Sequence, residues 1–197
     1  GGQNGDSLMA TVDVQVGASA DDAVVLWNGT AWGIASLAYA HELVGYTSAT
    51  AFKYGNGERF LNVTIANAAT IDVAYLTMTC SLSRSNTVVN SYITGDDEDS
   101  AATWSTLADY QARRGTIVGG ANNNYITTAQ VAWDNIAAWT LDTEYASPSI
   151  VSIIQEIVNR AGWVSGNPLA LWWDDHDGRS TAVNSTNRAA YSYDNST

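Results

Sequence analysis

S-P-S-I-V-S-I-I-Q-E-I-V-N-R-A-G-W-V-S-G-N, from Ser147 to Asn167, is the only stretch of this chain that reads as a substantial helix. Ser147 suits an N-cap and Pro148 a first helical residue, where its missing N–H is no loss. Ile150, Val151, Ile153, Ile154, Ile157 and Val158 recur at helical spacing and paint one apolar stripe. Glu156 and Arg160 stand one turn apart, the spacing of a surface ion pair that can also reach turn backbone, and Gly162 is placed to end the helix in the left-handed conformation. The expectation is one short amphipathic helix, about 148–160, plugging the end of a β-sandwich.

Working outward, the rest of the chain alternates with period two. Leu8, Ala10, Val12, Val14 and Val16 alternate with Met9, Thr11, Asp13 and Gln15, a long half-buried strand behind the leader Gly1 to Asp6. Ala23 to Trp27 reads as a second strand. Residues 28–58 read as irregular, with Asn28-Gly29 and Asn56-Gly57 as turn signals. Arg59 to Ile65, Ile71 to Leu82, Val88 to Thr94, Thr116 to Val118, Gln130 to Trp133, Ala138 to Leu141, Leu169 to Trp173 and Arg188 to Tyr193 read as strands, with a short helix near Thr106 to Arg113. About eight to ten strands with little helix predict an all-β antiparallel jelly-roll sandwich. Residues 1–10 form an N-terminal arm, extending to 16 in a longer reading, and 11–197 the jelly-roll domain.

Composition narrows the function. Twenty acids against eight bases give a net charge of −12, and Lys53 is the sole lysine, so there is no basic face for nucleic acid or anionic lipid. No apolar run is long enough for a membrane span. The single cysteine, Cys80, alternates with Leu76, Met78 and Leu82, the pattern of a buried small hydrophobe rather than a nucleophile. Abundant Thr, Ser and Asn with few charges fit a secreted protein, and a chain opening on Gly1 reads as a processed form.

Reaction chemistry is thin. With His41 and His176 as the two histidines and no G-x-S-x-G, a hydrolase triad has no framework, and Glu98, Asp99, Asp174 and Asp175 are acidic turn residues more than a glycosidase pair. Asp174, Asp175 and Asp177, or Asp96, Asp97 and Asp99, supply hard oxygens for calcium; without EF-hand spacing the competing reading is a solvated acidic turn. Among eight tryptophans, Trp32, Trp104, Trp133, Trp139 and Trp172 offer flat faces for sugar rings, against the commoner fate of core or inter-subunit packing, and Trp163 reads as packing on the helix terminus. Asn28, Asn62, Asn184 and Asn195 head N-x-S/T sequons for glycans, Asn62 being the least suitable because it reads as mid-strand.

S-A-D-D-A (Ser19 to Ala23), R-F-L-N-V-T-I-A-N-A-A-T-I (Arg59 to Ile71), A-Q-V-A-W-D-N-I-A-A-W (Ala129 to Trp139) and I-I-Q-E-I-V-N-R-A-G-W-V-S-G-N (Ile153 to Asn167) together resemble a family of extracellular jelly-roll modules of environmental microbes and phages. The chain is also similar in pattern to subunits of helical extracellular filaments from natural water. The resemblance implies a jelly-roll domain of a secreted, virion or adhesive protein, without general catalytic activity. Modules of this kind close with a final P-x-L-x-I-x-Y strand, where this sequence runs Tyr193-Asp194-Asn195-Ser196-Thr197. An unfilled sheet position exposes backbone beside core. The expectation is a non-enzymatic filament subunit whose donor strand, Leu8, Ala10, Val12, Val14 and Val16, completes a neighbour's sheet head-to-tail. The alternative is a carbohydrate-binding or adhesive module. Its partners are then other copies of itself or glycans, with no required cofactor beyond calcium in the metal reading.

Overall fold

The strand K-Y-G-N-G-E-R-F, β4 (Lys53–Phe60), organises the molecule. The structure, a computed structural model, describes residues 10–28, 32–47, 52–114 and 125–195, with backbone alone for 32–35 and 107. On one edge β4 pairs with β1 (Asp22–Trp27), from Asp22↔Glu58 to Trp27↔Lys53; on the other it pairs with β9 (Leu169–Asp174), from Gly55↔Asp174 to Phe60↔Leu169. β2 (Trp32–Ser36) extends this leaf beyond β1, and β6 (Ser91–Asp96) and β7 (Ile126–Trp133) extend it beyond β9. β3 (His41–Tyr46) joins β4 through Gly45↔Tyr54 and Tyr46↔Lys53, then peels away to start a second leaf with β10 (Asn187–Tyr191), β5 (Thr77–Leu82) and β8 (Glu144–Ala146). Every pairing among the described strands is antiparallel, and the curled sheet closes as an all-β, jelly-roll-like sandwich.

Where β3 leaves β4, the Asn56 side chain takes over the ladder. Its amide oxygen accepts the Leu43 N–H at 2.8 Å, and its Nδ2 donates to Leu43 O at 2.8 Å and Trp173 O at 3.2 Å. The Asn56-Gly57 pair is therefore mid-strand and not a turn, and residues 28–58 hold β2, β3 and most of β4. Local turn propensity lost here because both backbone edges of β4 and the Asn56 amide are paired in the sheet.

The main core fills the space between the leaves: Val44, Met78, Cys80 and Ala190 on one side, Ile93, Trp133, Leu169, Leu171 and Trp173 on the other. The outer face of the larger leaf carries a second core. Ala23, Val25, Trp27, Ala170 and Trp172 lie under Ala101, Trp104 and Tyr110, the last from helix α1 (Leu107–Arg114). Gly57 makes this layer close: a Cβ there would stand 2.9 Å from Trp172 Cζ3 and 3.0 Å from Trp104 Cζ2. Gly57→Val is expected to force both rings apart and cost about 1–3 kcal/mol in urea unfolding.

The helix α2 (Val151–Val158) buries Ile153, Ile154, Ile157 and Val158 as the stripe predicted, against β6 and β7. Three details differ. Ser147 is no cap: its N–H bonds Leu76 O at 2.8 Å and its hydroxyl accepts the Leu76 N–H at 2.9 Å, so the helix starts only at Val151. The left-handed glycine is Gly166, whereas Gly162 lies against Asp99. Two helices of equal length are described, since α1 is also eight residues long.

Glu156 and Arg160 also diverge instead of pairing. Glu156 accepts the N–H groups of Thr128 and Ala129 at 2.7 and 2.8 Å, capping the exposed edge of β7, while Arg160 pairs with Asp97 and Asp99. The Arg59 to Ile65 strand stops at Phe60, because Val63 gives its N–H to Asn167 O and its carbonyl to the Gly166 N–H. The Ile71 to Leu82 strand begins only at Thr77, and β8 lies at 144–146 rather than 138–141. The Thr116 to Val118 expectation lies outside the described residues.

Candidate functional site

The N-terminal strand keeps its alternation but not its ladder. Val12, Val14 and Val16 are half-buried, Ala10, Thr11, Asp13 and Gln15 exposed, and Leu8 lies outside the described residues. Val14 packs on the main core, and Val16↔Phe60 is the one β-bridge of the segment among the described residues. Residues 10–15 thus alternate half-buried valines with exposed residues, with no strand paired alongside among the described residues.

The acidic loop after β9 does not gather its carboxylates. Asp174 is buried on the outer face, where Arg114 Nε and Nη2 reach its oxygens at 2.6 and 3.0 Å and His176 Nδ1 lies 2.9 Å away. Asp175 accepts the Arg179 and Ser180 N–H groups at 2.7 and 3.0 Å, and Asp177 is exposed. Asp96 pairs with Arg113 and Asp97 and Asp99 with Arg160, so each acid of both calcium candidates except Asp177 already answers a protein donor.

Burial works against the Asp174 charge, yet the Arg114 guanidinium and His176 hold its carboxyl well below the usual carboxylate range. Burial also pushes the His176 imidazole down to about 4, so it is neutral at ordinary pH. Tyr110 is raised by burial and by the Asp174 charge. The nearby Lys53 is buried, its ammonium donates to His176 O, and burial lowers its pKa. Chemically this is an ion-paired knot that pins α1 to the sheet.

Four of the tryptophans proposed for sugar rings, Trp104, Trp133, Trp139 and Trp172, are buried. Trp104 and Trp172 meet at 4.6 Å between centroids in the outer core; Trp139 stacks on Tyr145 at 4.8 Å and neighbours Trp133 and Trp173 in the main one. Their faces are spent on packing: Trp133 and Trp139 fill the core between the leaves, and Trp104 and Trp172 the second core on the outer face of the larger leaf. The Trp32 side chain lies outside the described residues. Trp163 is buried, and its Nε1 donates to Ile65 O at 2.9 Å. Of the sequon asparagines, Asn28, Asn62 and Asn184 are exposed and Asn195 half-buried; Asn62 lies in the bend after β4 with φ 54°, not mid-strand. Cys80 is fully buried, and burial pushes its thiol up.

A cluster that the sequence reading passed over lies where the leaves part. Asp22 of β1, Glu42 of β3 and Glu58 of β4 are 2%, 4% and 1% exposed. Asp22 and Glu58 are register partners, and Glu42 meets Glu58 side chain to side chain. Burial is the first cause that raises all three; nearby acids add to it, Asp22 on Glu42, Glu42 and Asp22 on Glu58, and Asp194 and Asp21 on Asp22, which is raised to about 6. The available signal was period: Glu42 shares parity with Val44, and Glu58 with Phe60, once 41–60 is read as strand. No known protein family matches the chain, and no curated protein does.

Proposed function

We propose that this protein is a structural, non-catalytic subunit that polymerises outside the cell, with its N-terminal strand crossing to a neighbouring copy. The observation that supports it is the 10–16 segment: Val12, Val14 and Val16 are half-buried, Thr11, Asp13 and Gln15 between them are exposed, and among the described residues one bridge ties its backbone to its own sheet. Extended backbone with free N–H and C=O groups is complementary to a sheet edge. Val14 packs on its own core and Val16 bridges Phe60, so this segment is the anchored root, and the arm of residues 1–10, in whose sequence Leu8 and Ala10 continue the same alternation, makes the crossing. A head-to-tail contact of this kind propagates into a fibre unless its rotation closes a ring. The alternative, a carbohydrate-binding or adhesive module, draws on a cleft of about 180 Å³ between β1, β2 and β4, lined by Val24, Leu26, Ser36, Tyr39 and Tyr54.

Deleting Gly1 to Ala10 tests the reading. Electron microscopy of the full chain is expected to show ordered fibres, and the truncated chain to remain a folded monomer by light scattering. Normal fibres from the truncated chain reject the arm. A full chain that stays monomeric and binds polysaccharide supports the adhesive module instead.

A further inference from the structure

Among the described residues, no cation pairs with any of the three acids at the parting of the leaves. Neither Glu58 oxygen receives a hydrogen bond from an ordinary donor, and the group in reach is the Glu42 carboxyl. Two carboxylates cannot bond to one another; a carboxylic acid and a carboxylate can, through one proton. The charged groups acting on the trio from adjoining segments are again acids: Asp21 from the turn before β1, Asp194 from the C-terminal turn and Asp174 from β9. Tyr110 of α1 feels Glu58 from the opposite face, and Arg59 turns away to pair with Asp21.

The cluster also underlies the place where the two ends of the described chain meet. Asp22 Oδ2 accepts the Tyr193 N–H at 2.7 Å, and Ser19 Oγ donates to Asp194 at 2.5 Å.

We propose that Glu42 and Glu58 hold one proton between them and act, with Asp22, as an acid-set clasp that joins the two leaves beneath the C-terminal turn. With the proton in place, β3 is tied to β4 where their backbones have separated. When it leaves, two buried negative charges face each other and a third, the junction loosens, and the Tyr193 anchor weakens with it. The clasp lies within one subunit, so it goes beyond the assembly reading and does not depend on it.

The sign follows from linkage. Carboxyls whose pKa is raised on folding bind more protons in the folded state, so their contribution falls as pH rises above the unfolded carboxylate value of about 4. His176 works the opposite way below about pH 6.5, being lowered on folding. From about pH 6.5 to 9 the other shifted groups, Lys53 and Cys80, are common to wild type and variant, so the difference between their curves reads the clasp.

Thermal unfolding of the full chain and of Glu58→Gln across that window tests the proposal. The wild-type Tm is expected to fall with rising pH, while Glu58→Gln, which donates an amide hydrogen bond to Glu42 and carries no charge, gives a flatter curve. At the alkaline end the variant should lie above wild type by roughly 3–6 °C. Parallel curves, or a variant lower throughout, overturn the clasp. A second measurement needs no variant: ¹³C-carboxyl NMR titration of the five glutamates in the wild-type chain. One resonance still protonated at neutral pH, or two sharing an intermediate shift, support the shared proton; two fully protonated resonances, or all five titrating below about pH 5.5, overturn it.

Discussion

Ile153→Asp is expected to abolish folding at ordinary temperature. Ile153 is fully buried at the contact of α2 with β6, where a Cβ on Gly95 would stand 2.8 Å from Ile153 Cγ2. No cation neighbours that site to receive a carboxylate among the core side chains around it, which are apolar. The substitution replaces the apolar carbons beyond Cβ with a carboxylate and strands its charge, a loss of about 4 kcal/mol or more against a typical total of roughly 5–15. Circular dichroism of the purified variant should show no cooperative melting. A cooperative transition within a few degrees of wild type would show that α2 does not seal the core. Ile154→Asp, at the 8% exposed neighbouring position, should fail in the same way but less completely.

Arg114→Met should be the next most damaging change. It leaves the Asp174 carboxylate buried beside His176 with its strongest partner gone, and breaking one half of a buried pair costs about 3–5 kcal/mol. Adding Asp174→Asn to that variant removes the stranded charge and is expected to recover more than half of the loss in urea unfolding. The two changes are in direct contact, so their effects should be strongly non-additive. Additive losses would show that the pair does not hold α1 on the sheet.

The distance between reading and structure is instructive at particular residues. α2 was legible because six aliphatic residues at helical spacing bury a stripe whatever they pack on. β9 was legible because Leu169 to Trp173 is apolar on both faces, and both faces are buried. β4 was not: G-N-G is the local signature of a turn, and here it is the centre of the sheet. Its glycine is there to admit Trp172 and Trp104, far along the chain, and its asparagine to bond Leu43 of a strand that has turned away, two causes that no local window around G-N-G contains. Glu42 and Glu58 were hidden for the same reason, since a glutamate in a segment read as irregular is taken to face water.

The sequence by itself determined the all-β class, the stripe of α2 and the burial of Cys80, because these depend on periodicities within one segment. Only the tertiary structure decided which side chains are paired and which face solvent. It spent Trp104, Trp139 and Trp172 on two cores, divided Asp174 and Asp175 between separate partners, sent Glu156 to the backbone of β7 and Arg160 to the acids after β6, and brought Asp22, Glu42 and Glu58 together from three strands. The physical reason is that a side chain's charge state and accessibility are set by what lies opposite in the folded sheet, and strand pairing places residues opposite one another without regard to their separation along the chain.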